Sequence, residues 1–300
     1  MKITIIGDNG QLGWELVRRG KQKGCEVLAM DVPEIDITDP DSIKARISST
    51  ETGCVINAAA YTAVDKAESE PDAAFAVNRD GPGYLARHCR TLELPLVHIS
   101  TDYVFDGFKA SAYTEQDPAA PLGVYGHSKA AGEVEVREHL TEHIILRTAW
   151  LYGVHGQNFV KTILALGRER SEVKVVADQR GCPTYAADLA DAILAVAAKI
   201  TEGNFTKWGT YHCCGGGTTT WHGFAEAIKE FSSRYEKLAL KALVPITTAE
   251  FPLPAKRPLN SVLDCRKIEK YFGIKLRSWK EALSEMISDL YNSNPNNNHR

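Results

Sequence analysis

The chain has 300 residues, 44% of them hydrophobic and 24% charged, with a formal net charge of -3. That length holds one large domain or two modest ones and buries a sizeable core. The near-neutral charge gives no reason to expect nucleic acid or an anionic membrane as partner, and no apolar run approaches the roughly eighteen residues of a spanning helix.

The N-terminus runs straight into a strand-like stretch over 3–6 with no secretory pattern, and a cytoplasmic protein is expected. Through the first half, β-branched runs at 3–6, 26–30, 54–57, 96–100 and 144–147 alternate with amphipathic stretches at 11–20, 40–48, 72–91 and 124–140. Strands alternating with helices predict an α/β fold, a Rossmann-type doubly wound parallel sheet. Such sheets bind ligands at the carboxyl ends of their strands.

The first strand leads into Gly7-Asp-Asn9-Gly10-Gln11-Leu12-Gly13, spaced G-x-x-G-x-x-G. Glycines there let the backbone approach a pyrophosphate, which the helix N-terminus attracts through its free N–H groups and dipole. No Gly-Lys-Ser/Thr follows, so a Walker loop is excluded. Asp31, just past the second strand, suits a hydrogen bond to the adenosine ribose and leans towards NADH over NADPH, with Arg18 or Arg19 able to counter it. Asp36 and Ile37 either frame the adenine or lead into a helix capped by Thr38 or Asp39. Small residues Ala58, Ala59 and Ala60 end the third strand and suit contact with a cofactor ribose.

Ser100-Thr101-Asp102-Tyr103 ends the fourth strand, and Tyr125 and Lys129 stand four residues apart at the start of the next helix. That spacing puts them on one helix face, about 5–6 Å apart between Cβ atoms. A lysine charge at roughly 4 Å and an effective dielectric of about 20 favours the phenolate by about 4 kcal/mol, or about three pKa units at most. Tyr125 then becomes a usable acid–base group near neutral pH.

After about residue 152 the pattern changes. Helices are predicted at 158–168, 187–198, 220–231 and 279–291, with strands at 173–176 and 210–213. The expected division is a dinucleotide-binding domain over 1–152 with part of 173–200, a smaller interleaved α/β substrate lobe over 153–291, and a disordered polar tail over 292–300. The seven cysteines, an odd number without C-x-x-C, read as free thiols, and the nine histidines show no metal-ligand spacing.

With these residues assembled, the chain resembles the dTDP-4-dehydrorhamnose reductase family of the extended short-chain dehydrogenase/reductases. The resemblance is carried by Gly7–Gly13 and Tyr125–Lys129, and by segments 57–68, 100–107, 147–152, 178–184, 217–221 and 257–261. It implies reduction of the C4 keto group of dTDP-4-dehydro-6-deoxy-L-mannose with NADPH or NADH. Tyr125 would donate the proton, Lys129 would tune Tyr125 and hold the nicotinamide ribose, and Thr101 would polarise the carbonyl. By the same resemblance Thr62, Asp102, Tyr103 and Trp150 would line the sugar site, although Trp150 also suits a core position and Asp102 a cap. Asn158, Gln179, Arg257 and Asn260 would serve the nucleotide, with a surface ion pair the alternative for Arg257.

Some members of the family hold Mg2+ between subunits through acids matching Glu15 and a pair after Pro183-Thr184. Here only Asp188 stands where the pair belongs, so no metal is expected. The chain is expected to be a monomer or homodimer. A nucleotide-sugar epimerase or dehydratase with tightly held NAD, and a regulatory subunit of a methionine adenosyltransferase, are the competing readings. The intact Thr101, Tyr125 and Lys129 argue against the last.

Overall fold

The computed structural model describes residues 1–50 and 52–292. The predicted tail over 292–300 lies outside them except for Asn292, which ends the last helix. The first half builds β1 (Lys2–Ile6), α1 (Gln11–Gln22), β2 (Glu26–Met30), α2 (Pro40–Arg46), β3 (Val55–Asn57), α3 (Gly81–Thr91), β4 (Leu96–Thr101), α4 (Val124–His139) and β5 (His143–Thr148). It is followed by α5 (Phe159–Glu169), β6 (Glu172–Val176), α6 (Ala186–Thr201), β7 (Gly209–His212), α7 (Trp221–Ser232), β8 (Ala242–Ile246), α8 (Arg266–Phe272) and α9 (Trp279–Asn292).

Six strands form one parallel sheet in the order β7-β5-β4-β3-β1-β2. The order reverses between β1 and β3, which opens a crevice at their carboxyl ends. The strands are largely buried and mostly apolar because both faces are covered. On one face Ile3, Ile5, Ile56, Val97, Ile144 and Leu146 pack with α1 and α6. On the other, Ile6, Val55, Leu96 and Ile145 pack with α2, α3 and α4. The α6 helix thus serves the first-half sheet although it comes late in the chain. A separate apolar cluster joins α5, β6, α7 and α9 around Phe224, Trp279, Met286 and Ile287.

The continuous helix expected over 72–91 is broken. Pro71–Phe75 is helical, Ala76–Asp80 is a wide π turn, and α3 starts at Gly81. Pro82 has no N–H, so the Asn78 carbonyl loses the donor an α-helix would supply. The turn widens there, and Asn78 turns inward. Its amide accepts from Tyr61 N at 2.9 Å and donates to the Tyr61 carbonyl and to Ser128 Oγ, both at 3.0 Å. The turn thereby ties the segment after β3 to α4, the helix that carries Tyr125.

Candidate active site

The loop after β1 is shaped by glycines that other residues cannot replace. Gly7 has φ +86°, and a side chain there would run into the Ala58–Ala59 backbone. A Cβ on Gly13 would collide with the Gly7 carbonyl. Gly10 heads α1 without any side-chain cap, so the first N–H groups of the helix are left for a ligand. This bare N-terminus opens on a cavity of about 720 Å³ that runs along the carboxyl ends of β1 to β5. Every predicted cofactor residue borders it: Gly7, Asn9, Gly10, Gln11, Leu12 and Gly13 at one wall, Asp31, Asp36 and Ile37 at one end, Ala58 to Ala60 along the floor, and Tyr125 and Lys129 opposite. A backbone cradle, an acid at the ribose position and a long cavity fit a dinucleotide. Asp36 borders the cavity, and its Oδ1 accepts from Thr38 N; of the two cap candidates, Asp39 caps α2.

The polar centre differs from the expected arrangement in two ways. First, Lys129 is buried and donates from Nζ to the Ile99 carbonyl at 2.7 Å. Burial pulls its pKa down to about 8, against the Glu133 charge. Tyr125 is not lowered: burial pushes it up to about 12, with the Thr101 hydroxyl pulling back and the Asp102 charge adding. Lys129 has no part in that shift, so in this state the sequence-based tuning of Tyr125 is replaced by desolvation. Second, Thr101 Oγ1 donates to Asp102 Oδ1 at 3.0 Å and accepts from Tyr103 N at 3.2 Å, so its proton is directed at a carboxylate rather than at the cavity.

Beneath this centre Glu133 is fully buried and bridged by Arg147 at 2.8 and 2.6 Å and by Ser100 Oγ at 2.6 Å. Burial pushes Glu133 up, but these partners win and hold it below its ordinary pKa. This fixed charge sits on α4, one helical turn from Lys129.

Known proteins share this geometry. The family described as RmlD substrate binding domain matches residues 1–292. The dTDP-4-dehydrorhamnose reductase of Burkholderia thailandensis is 42% identical over 297 residues, covering 97% of this chain and 99% of its own length. That of Aggregatibacter actinomycetemcomitans is 44% identical over 287 residues, covering 95% and 98%. The chain belongs to the dTDP-4-dehydrorhamnose reductase family. Among solved structures, the Clostridium acetobutylicum dTDP-4-dehydrorhamnose reductase superposes with a TM-score of 0.90 at 42% identity, covering 97% of this chain and 99% of that one. The Bacillus anthracis enzyme, in complex with NADP, gives 0.89 at 36% identity, covering 96% and 100%.

In this member of the reductase family the eight predicted substrate residues divide evenly. Thr62, Asp102, Tyr103 and Trp150 border the cavity. Trp150 takes φ +48° and stacks on Trp221 at 3.6 Å and 9°, with the bare Cα of Gly181 beneath its indole. Trp221 also borders the cavity and was not singled out as a site residue; its only signal was membership of the 217–221 segment.

The other four sit outside the cavity wall and make structural ties. Asn158 caps α5 and donates to Gln11 Oε1 at 3.0 Å, clasping the segment after β5 to the phosphate loop. Gln179 donates to Thr248 Oγ1 and accepts from Trp221 Nε1. Asn260 donates to the Lys109 and Ser111 carbonyls. Arg257 pairs with Asp65 at 2.9 Å and leaves Nη1 buried without a hydrogen bond. The acids weighed for a metal are held by arginines, Glu15 by Arg18 and Arg19, and Asp188 bidentately by Arg277 at 2.9 Å.

Asp102 yields a stability prediction. It is 2% exposed, its Oδ2 lacks a hydrogen bond, and burial raises its pKa from the 3.8 of a free carboxyl to about 6, with Ser261 and Thr101 pulling back. Its favourable contribution is therefore complete below about pH 4 and is lost as pH rises through 6. At pH 7.5 Asp102→Asn removes a strained charge while keeping an acceptor for Thr101. We expect a gain on the order of 2 kcal/mol, seen as a higher Tm at pH 7.5 and little change at pH 4. An equal shift at both pH values would show that the charge is not the cause.

Proposed function

We propose that the protein reduces the C4 keto group of dTDP-4-dehydro-6-deoxy-L-mannose to give dTDP-L-rhamnose, using NADPH or NADH, in the cytoplasm, as a monomer or homodimer. The observation that carries this reading is the placement of Tyr125, Lys129 and Thr101 on the same cavity as the bare N-terminus of α1, in a chain of this reductase family.

A bound reduced nicotinamide supplies the hydride. The protein's own residues handle the oxygen. Tyr125 keeps its proton throughout the neutral range because burial raises it to about 12. A new alkoxide is a base of hydroxide strength, near the value of about 16 for water, so transfer from Tyr125 remains downhill. The edge of Tyr103, 5.4 Å from Tyr125 between ring centres, holds the phenol in place. We further propose that Thr62, Trp150 and Trp221 face the sugar and that the cluster around α5, α7 and α9 forms the substrate lobe.

The test is direct: purified protein, the 4-keto sugar nucleotide and NADH or NADPH are mixed, and absorbance of the reduced nicotinamide is followed. Steady oxidation with either cofactor is expected. None with both would reject the reading, and stoichiometric NAD retained through purification would favour the epimerase or dehydratase alternative.

A further inference from the structure

Three of the seven free cysteines meet behind the active site. Cys213 and Cys214 are adjacent, and the chain turns them apart: Cys213 enters the sheet core and Cys214 the small cluster beneath the cavity, with Val104, Phe105 and Ala149. Cys214 Sγ lies 3.5 Å from Cys265 Sγ and is also hydrogen-bonded to Cys182. A second cavity of about 290 Å³ is lined by all three cysteines. Cys182 and Cys214 are buried, whereas Cys265, heading α8, is half-buried. Hydrogen bonds from its two sulfur neighbours, with burial, hold the Cys214 thiol well above its ordinary pKa. It is therefore not the first sulfur to react.

The three sulfurs belong to segments that reach the active site. Cys182 follows Gly181, the residue beneath Trp150. Cys214 precedes the loop that leads to Trp221. Cys265 closes the segment whose Ser261 donates from N to the Arg180 carbonyl at 2.7 Å and whose hydroxyl eases Asp102.

We propose that Cys214 and Cys265 form a reversible modification site, in which a hydroperoxide reaching the second cavity drives them into a disulfide that slows turnover. The Cys265 sulfur attacks the peroxide; its O–O bond breaks, the sulfur is oxidised by two electrons to a sulfenic acid, and water (or an alcohol) leaves. Cys214 sulfur then attacks the sulfenic sulfur. The S–S bond forms, the S–O bond breaks, and the thiol proton departs with the hydroxide as water. An S–S bond of about 2.05 Å requires the sulfurs to close by about 1.5 Å. That movement draws on the 261–265 segment and so on Asp102 and Thr101. Displacements of about 1 Å at a reacting centre cost up to about 100-fold.

The effect on turnover rests on the reductase reading; the sulfur chemistry does not. The full chain is treated with hydrogen peroxide, and free thiols are counted after denaturation alongside non-reducing peptide mapping and the reductase assay. The expected result is a fall from seven thiols to five, a Cys214–Cys265 linked peptide, and a loss of activity of about 10- to 100-fold that dithiothreitol reverses. Cys265→Ser should have unaltered basal activity and resist peroxide. Because Cys265 is at the rim, this variant tests the site without emptying the core, and Cys182→Ser should still form the link. Equal peroxide sensitivity of Cys265→Ser, a link between a different pair, or seven thiols remaining would overturn the proposal. If the untreated protein shows no reductase activity, the thiol count and peptide map still decide whether the site exists.

Discussion

Tyr125→Phe is expected to lower kcat by about 10²- to 10⁴-fold while leaving the fold and cofactor affinity within a few-fold of wild type. The substitution removes one oxygen and keeps the ring that packs edge-on against Tyr103 at 5.4 Å. No neighbouring group replaces the lost proton. Asp102, at about 6, is mainly ionised at neutral pH. The Lys129 ammonium is directed at the Ile99 carbonyl. Thr101 offers its hydrogen to Asp102. Single-turnover oxidation of the reduced cofactor measures the effect, with cofactor binding followed separately by fluorescence. Wild-type turnover in the variant would remove Tyr125 from the proton transfer. The same environment sets a pH profile. Tyr125 stays protonated far above neutrality, so loss of activity at about pH 8 would report Lys129, whose pKa burial lowers to that value.

The parts of the site legible in the sequence were those set by local rules. The glycine loop, the strand ends and the Tyr125–Lys129 spacing each depend on a few consecutive residues, and all of them border one cavity. What escaped depends on residues far apart in the chain. The Lys129 amine meets a carbonyl thirty positions earlier because α4 crosses β4. The Glu133–Arg147 pair that anchors α4 joins a helix to the next strand. Gln179 and Asn260 carry polar side chains of a kind that binds nucleotides, yet their amides are occupied by Thr248, Trp221 and the 109–111 backbone. Residue type could not separate a ligand contact from a tie between loops. The break at 76–80 did have a signal in Pro82, whose missing donor the helical periodicity outweighed.

Cofactor choice turns on Asp31, and here the structure sharpens a lean of the sequence into an expected preference for NADH. The Asp31 carboxylate is fixed at the end of β2 by Asn9 N at 3.3 Å and Val32 N at 2.8 Å. Its surroundings are negative: Asp8 is raised by burial and then by the charges of Asp31 and Glu34. The two arginines that might have offset this charge are engaged elsewhere. Arg18 binds Glu15 and lies over Trp14, while Arg19 pairs with Asp191 and Glu15. Among the described residues no arginine borders the cavity. A 2′-phosphate beside Asp31 meets repulsion of about 1 kcal/mol per charge at 4 Å even in a dielectric of 80, and more where solvent is partly excluded. We therefore expect kcat/KM for NADH to exceed that for NADPH by about tenfold or more, in contrast to a chain that selects NADP. Asp31→Asn should narrow the ratio by about 5- to 10-fold, mainly through a lower KM for NADPH. Added salt should narrow it in the wild type and much less in the variant, because screening acts on the charge that the substitution removes. A wild-type preference for NADPH, or a ratio unmoved by Asp31→Asn, would show that the adenosine end is read by groups other than this carboxylate. Both cofactors deliver the same hydride to the same oxygen chemistry, so the ratio isolates recognition from the proton transfer at Tyr125.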